Sequence, residues 1–132
     1  MDHGKPGWFE LTTSAGQLKA AGAFYSRVLG WQIADAGMEG FTYHLAAHGT
    51  DRVAGLMETA DDLPPYWLVY FDVDDIDDAL SRIHASGGQV HHGPDQIPGT
   101  GRFAVAADPQ GAVFGLLEPA PMDSQPAEDQ GA

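Results

Sequence analysis

Val53-Ala54-Gly55-Leu56-Met57-Glu58 returns, sixty positions later, as Val113-Phe114-Gly115-Leu116-Leu117-Glu118. An internal echo of this kind implies two copies of one supersecondary unit that share a core. What precedes each copy repeats as well. In the first half, residues 8–13 (WFELTT) suit a short strand. Ser14 and Gln17 have capping-box spacing, and Leu18, Ala21, Tyr25, Val28 and Leu29 recur at helical spacing until Gly30 stops the run. Strands at 31–34, 41–47 and 52–57 follow, separated by Gly-bearing turns. In the second half, WLVYFDV at 67–73 is rich in β-branched and aromatic residues. Asp74 or Asp75 caps a helix whose buried stripe is Ile76, Ala79, Leu80 and Ile83, and Gly87-Gly88 ends it. Strands at 89–91, 102–107 and 112–118 complete it, and Pro64-Pro65 marks the joint. Each half reads strand, helix, strand, strand, strand.

The chain has 132 residues, enough for one domain of ordinary size. Nineteen Asp and Glu against six Lys and Arg give a formal charge of −13, which argues against nucleic acid and anionic membranes as partners. The absence of cysteine excludes disulfides, thiol nucleophiles and thiolate metal sites. No apolar run approaches the roughly 20 residues that span a bilayer, and the start MDHGKPGW has no signal-peptide core. A cytoplasmic protein is expected. Residues 1–6 are read as a flexible start, 7–118 as one domain (modules 7–60 and 65–118), and 119–132 as an acidic disordered tail.

FYSRVLGW at 24–31, VDDIDDAL at 73–80, GGQV at 87–90 and DPQGAVFGLLEP at 108–119 stand in an order that resembles the vicinal oxygen chelate superfamily. That superfamily includes glyoxalase I, bleomycin-binding resistance proteins and extradiol dioxygenases, and the likeness is strongest to a subgroup without an assigned reaction. The resemblance implies an α+β fold: two tandem βαβββ modules forming a cup-shaped, partly open mixed sheet with the helices outside. It also implies a homodimer, since a second subunit often completes such cups.

Enzymes of this superfamily hold a divalent metal with His, Glu or Gln on the first and last strand of each module. Carried over through the motifs, those positions are Gly115, Gly55, Leu68 and, on the first strand, either Glu10 or Trp8. At most one has a donor side chain, whereas a catalytic metal usually needs about three protein ligands. No metal and no other cofactor is therefore expected, and a divalent ion enters only if these positions are misaligned. Glu58 and Glu118 lie three residues past the ligand positions, hence on the opposite face, and are expected at strand ends in water. His44 and His48 share a strand face but stand too far apart to chelate one ion.

Without a metal the cup remains a pocket. Alternation lines it with Trp8, Glu10 and Thr12 from the first strand and Leu68 and Tyr70 from the fifth, while Trp67, Val69 and Phe71 pack under the helices. Gly55 and Gly115 are expected to leave open space there. The Gly- and Pro-rich segment 92–102 is read as a loop over the mouth, with Arg102 as a candidate anchor for an anionic group. Glu10, buried beside aromatics, is the candidate base. These residues describe a protein that binds a small organic ligand in the sheet cup without the usual metal. Two alternatives stay open: a metal-dependent lyase or dioxygenase of the same superfamily, and a metal-free enzyme using Glu10 as base.

Overall fold

The computed structural model describes residues 2–38, 40, 42–60, 64–97 and 100–120. Phe41, and residues 121–132 of the expected tail, lie outside the described residues. The first module contains β1 (Pro6–Ser14), α1 (Leu18–Leu29), β2 (Gln32–Asp35), β3 (Tyr43–His48) and β4 (Asp51–Thr59). The second contains β5 (Tyr66–Asp72), α2 (Ile76–Ala85), β6 (Gln89–Ile97), β7 (Gly101–Ala107) and β8 (Val113–Pro119). Both modules are therefore βαβββ. In each, the last strand lies parallel to the first: Glu10 stands opposite Gly55 in one, and Tyr70 opposite Gly115 in the other. The remaining strands add antiparallel, in the orders β1-β4-β3-β2 and β5-β8-β7-β6.

The chain divides into two compact units. One is Trp8–Val69, and the other joins the start of the chain, up to Gly7, to the part from Tyr70 onward. The start of β5 thus belongs with the first unit. Trp67 stays there by donating its indole N–H to the Tyr25 hydroxyl (3.1 Å) and packing edge-on against Tyr25 and Trp31. The opening residues, expected loose, are tied to the second unit. The Gly4 N–H donates to the Asp72 carbonyl (2.6 Å), and the Asp72 N–H donates to the Lys5 carbonyl (2.8 Å).

Each unit has its own core. Leu11, Leu18, Ala46, Ala54 and Leu56 are buried beneath α1, with Ala21, Tyr25 and Ile33 against them. Val73, Ile76, Ala104 and Leu116 are buried beneath α2, with Ala79, Leu80 and Ile83 completing the helical stripe. The stripe of α1 is shorter than its spacing suggests. Val28 and Leu29, in its last turn, are 58% and 48% exposed. Gly30 then takes φ +76 and closes the helix with its N–H on the Ser26 carbonyl.

Three expectations are corrected here. Ser14 does not cap α1: it is still the last residue of β1, and the Ala15–Gly16 turn separates it from the helix. Glu58 caps instead, its Oε1 accepting from the N–H groups of Gly16 (3.1 Å) and Leu18 (3.3 Å). Glu118 does the same in the second module, accepting from the Ile76 N–H (2.9 Å) beside the Asp75 carboxylate, which accepts from Asp78 (3.1 Å). The two repeated glutamates therefore satisfy otherwise unpaired donors at helix N-termini, where the dipole favours negative charge, rather than standing in water. Within the segment expected as a loop at 92–102, residues 92–97 are strand, and 98–99 lie outside the described residues. The strand residues continue β6 along β7 to Ile97, with irregular register around His92 and Asp95. Pro94 is tolerated because β6 has a neighbour on one side only and is bulged there.

Removing either cap has a defined consequence. Glu58→Ala and Glu118→Ala should each lower stability by about 1 kcal/mol, while Glu118→Gln, which keeps an acceptor oxygen, should lose clearly less. Urea melts of the three variants check this.

Candidate functional site

β1 alternates two kinds of residue. Leu11 turns into the core under α1, while Trp8 and Glu10 share the opposite sheet face. Gly55, on the neighbouring strand, belongs to that face beside Glu10. Tyr43 arrives from β3, two residues before Leu45, which pairs with Gly55. The three side chains form a directed chain of hydrogen bonds. Trp8 Nε1–H donates to the Tyr43 hydroxyl oxygen (3.0 Å), and the Tyr43 O–H donates to Glu10 Oε1 (3.1 Å). Among the described residues, Glu10 Oε2 has no hydrogen-bond partner.

Burial dominates the electrostatics. It pushes the Glu10 carboxyl above its ordinary value, and the Tyr43 hydrogen bond offsets this only in part. Burial also raises the Tyr43 phenol, and the adjacent Glu10 charge adds to that. The phenol is thus a firm donor and the carboxylate an unusually basic acceptor. Chemically the pair can hold a ligand O–H or N–H at Glu10, or take up a proton there.

Glycine at 55 does not open a void. A Cβ there would lie inside the Tyr43 ring and hydroxyl, so the ring fills the place expected to be empty. The second module repeats this with a different strand. The Tyr70 ring covers Gly115, and Phe103 meets Tyr70 edge-on at 6.5 Å. Phe71, one residue on, faces the helix side against Phe114.

The other expected site residues fare unequally. Thr12 and Leu68 are buried, at 6% and 4% exposure, and offer a ligand no surface. Arg102 is engaged on the helix side of its own module. Its guanidinium donates to both Asp77 carboxylate oxygens (3.1 Å each) and stands 3.9 Å from Glu118. This pairing follows from its place: Arg102 lies opposite Glu118 in the β7–β8 register, beside the α2 N-terminus that Glu118 caps. His44 borders an open groove of about 300 Å³ between α1 and β2–β3, and His48 pairs in register with Asp51. Tyr43 was missed in the sequence. The available signal was a glycine inside a strand, which often marks close approach by another group.

The metal that the resemblance associates with these positions can be tested against the side chains present. Of Glu10, Gly55, Leu68 and Gly115, only Glu10 carries a donor atom, and tyrosine rings stand over both glycines. Among the described residues no three His, Asp or Glu side chains converge on one point. The donor set does not fit a divalent ion.

With the geometry in place, the class of protein follows. The sequence model of the Glyoxalase/Bleomycin resistance protein/Dioxygenase superfamily matches residues 9–116, and the chain belongs to that superfamily. It is 44% identical over 118 residues to CFP32 of Mycobacterium tuberculosis, a protein with a provisional glyoxylase name. It is 33% identical over 129 residues to the anthracycline biosynthesis protein DnrV of Streptomyces peucetius. Each match takes in 86% of this chain but only 44% and 46% of the relative, so the chain spans less than half the length of these curated relatives. Two solved structures share the fold with a TM-score of 0.64. Methylmalonyl-CoA epimerase from M. tuberculosis is 18% identical, with 90% of both chains covered. A homoprotocatechuate 2,3-dioxygenase variant from B. fuscum is 17% identical, with 91% of this chain and 33% of that one covered. No helix among the described residues is long and apolar enough to cross a membrane.

The Glu10 environment sets a pH signature. Its folded value lies above its unfolded one, near 4.5, so the charged form opposes folding. That penalty is absent below the unfolded value and complete above the folded one. Glu10→Gln, which keeps the acceptor for Tyr43, should therefore be more stable than the parent at pH 7, and the difference should shrink to nothing as pH falls below about 4. Urea midpoints measured from pH 3.5 to 8 check both the sign and the window.

Proposed function

We propose that this chain is a metal-free member of its superfamily that binds a planar organic ligand bearing an amine or hydroxyl on the Trp8–Glu10–Tyr43 face. The observation that carries the reading is Glu10. One oxygen is fixed by Tyr43, and the other has no partner among the described residues on a half-buried aromatic face. A desolvated acceptor beside indole and phenol suits an aromatic ligand that brings its own donor, and a cation suits it best. The formal charge of −13 supports the same sign, since it raises the local concentration of cationic ligands. The name of the relative DnrV points to anthracyclines, planar aromatics that carry an amino sugar. The lyase and dioxygenase alternative needs donors that Gly55, Leu68 and Gly115 do not carry.

An amino-sugar anthracycline is the first probe, with its neutral aglycone as control. Titration followed by tryptophan fluorescence should give micromolar binding that weakens with salt. Glu10→Gln should weaken it about tenfold, or about 1.4 kcal/mol, with little effect on the aglycone. Equal affinity of the parent and Glu10→Gln for the amino-sugar compound would sink this reading.

We propose further that the chain pairs with a second copy. Phe24, Val28 and Leu29 of α1 and Trp67 of β5 are 40–58% exposed in one unit, and C2 pairing is the commonest way to cover such a face. Sedimentation equilibrium at micromolar concentration should give twice the chain mass; the chain mass itself would contradict pairing.

A further inference from the structure

The two sheet-face glycines are the least expected feature of the site. Both are buried, both sit on the last strand of a module, and both stand where the family resemblance would place metal-ligating side chains. Neither has a positive φ, so backbone conformation does not demand glycine at either place. What demands it is volume. A Cβ at 55 would run into the hydroxyl end of Tyr43, and a Cβ at 115 would run into the base of the Tyr70 ring. The Tyr43 hydroxyl is further held in place by its bonds to Trp8 and Glu10.

We infer that Tyr43 and Tyr70 are the specificity-determining residues that keep this chain metal-free: each ring takes the volume that a ligating side chain at Gly55 or Gly115 would need. The ring and the glycine form an interlocked pair. A donor cannot enter at 55 while the Tyr43 ring stays in its hydrogen-bonded place, and losing Tyr43 alone restores no donor, so two substitutions together are needed to rebuild a ligand there without displacing the ring. The exclusion also has a direction. The overlap at 55 is with the far end of a side chain, which can swing aside if its two hydrogen bonds break. The overlap at 115 is with the ring near its root in a residue only 8% exposed, which cannot. The second module is therefore the more tightly locked. This inference deepens the metal-free reading above and rests on it, but it is read by stability and by metal uptake rather than by ligand binding, so either can fail alone.

The test is a pair of mutant cycles. Gly55→Ala should lower the folding constant about tenfold in the parent, and Gly115→Ala should lower it further. In Tyr43→Ala and Tyr70→Ala backgrounds respectively, the same glycine changes should be neutral or favourable, because alanine replaces glycine in a strand with room to spare. Additive effects would overturn the interlock. The metal arm uses cobalt(II) alone. Tyr43→Ala/Gly55→Glu places a second carboxylate beside Glu10 in the β1–β4 register and should bind cobalt(II) at least tenfold more tightly than the parent, Tyr43→Ala or Gly55→Glu. Stoichiometric cobalt in the parent, or no gain in the double variant, would overturn the claim that the ring is what keeps the metal out.

Discussion

A tyrosine ring lying on a glycine is the contact on which the site depends. Parallel pairing of β1 with β4 brings position 55 beside Glu10, and a missing Cβ there leaves room for the hydroxyl end of the Tyr43 ring. Once the ring is down, its hydroxyl falls within reach of both Glu10 and the Trp8 indole. Burial, not any neighbouring charge, is the main reason Glu10 is harder to ionise, and the Tyr43 hydrogen bond works against it. Space and hydrogen bonding at this face are thus consequences of one absent methyl group.

The phrase repeated at 53–58 and 113–118 does two jobs because a strand has two faces. Its glycine belongs to the open face. Its glutamate, an odd number of residues on, belongs to the helix side and reaches the N-terminus of that module's helix. A single six-residue phrase thereby fixes the position of a helix and the character of a site. This explains why the glutamates recur in the repeat although neither approaches the sheet face where chemistry would take place. It also places Arg102 where it is found: opposite Glu118, between that carboxylate and Asp77, in a chain where acids outnumber bases by about three to one.

The fold was legible because its signals are periodic. The repeat, the helical stripe of α2, the glycine stops and the order of strands can all be counted along the chain, and the βαβββ modules follow from them. Boundaries blurred where context overrode pattern. β6 runs through Gly93 and Pro94 because an edge strand need not pair on both sides, which local composition does not reveal. Ser14 had the right spacing for a cap but remained in β1, and the accepting carboxylate came from Glu58, more than forty positions away. The site was half legible. Alternation placed Trp8 and Glu10 on one face, but Tyr43 could be found only by threading register from Gly55 through a hairpin that contains the β3–β4 irregularity. Gly55 and Gly115 were read as space because a sequence records what a residue lacks, not what fills the gap.

The two modules are equivalent in topology and unequal in chemistry. In the first, the ring over the glycine comes from β3, and its hydroxyl meets a carboxylate on β1. In the second, the ring comes from β5 itself, and the position that corresponds to Glu10 is Leu68, which has nothing to offer a phenol. One covered glycine therefore supports a hydrogen-bond relay, while the other supports packing, with Phe103 edge-on to Tyr70. A duplicated unit that solves the same volume problem with different strands is free to give only one copy a polar function. The desolvated acid is found in the copy where the covering ring carries a hydroxyl to it.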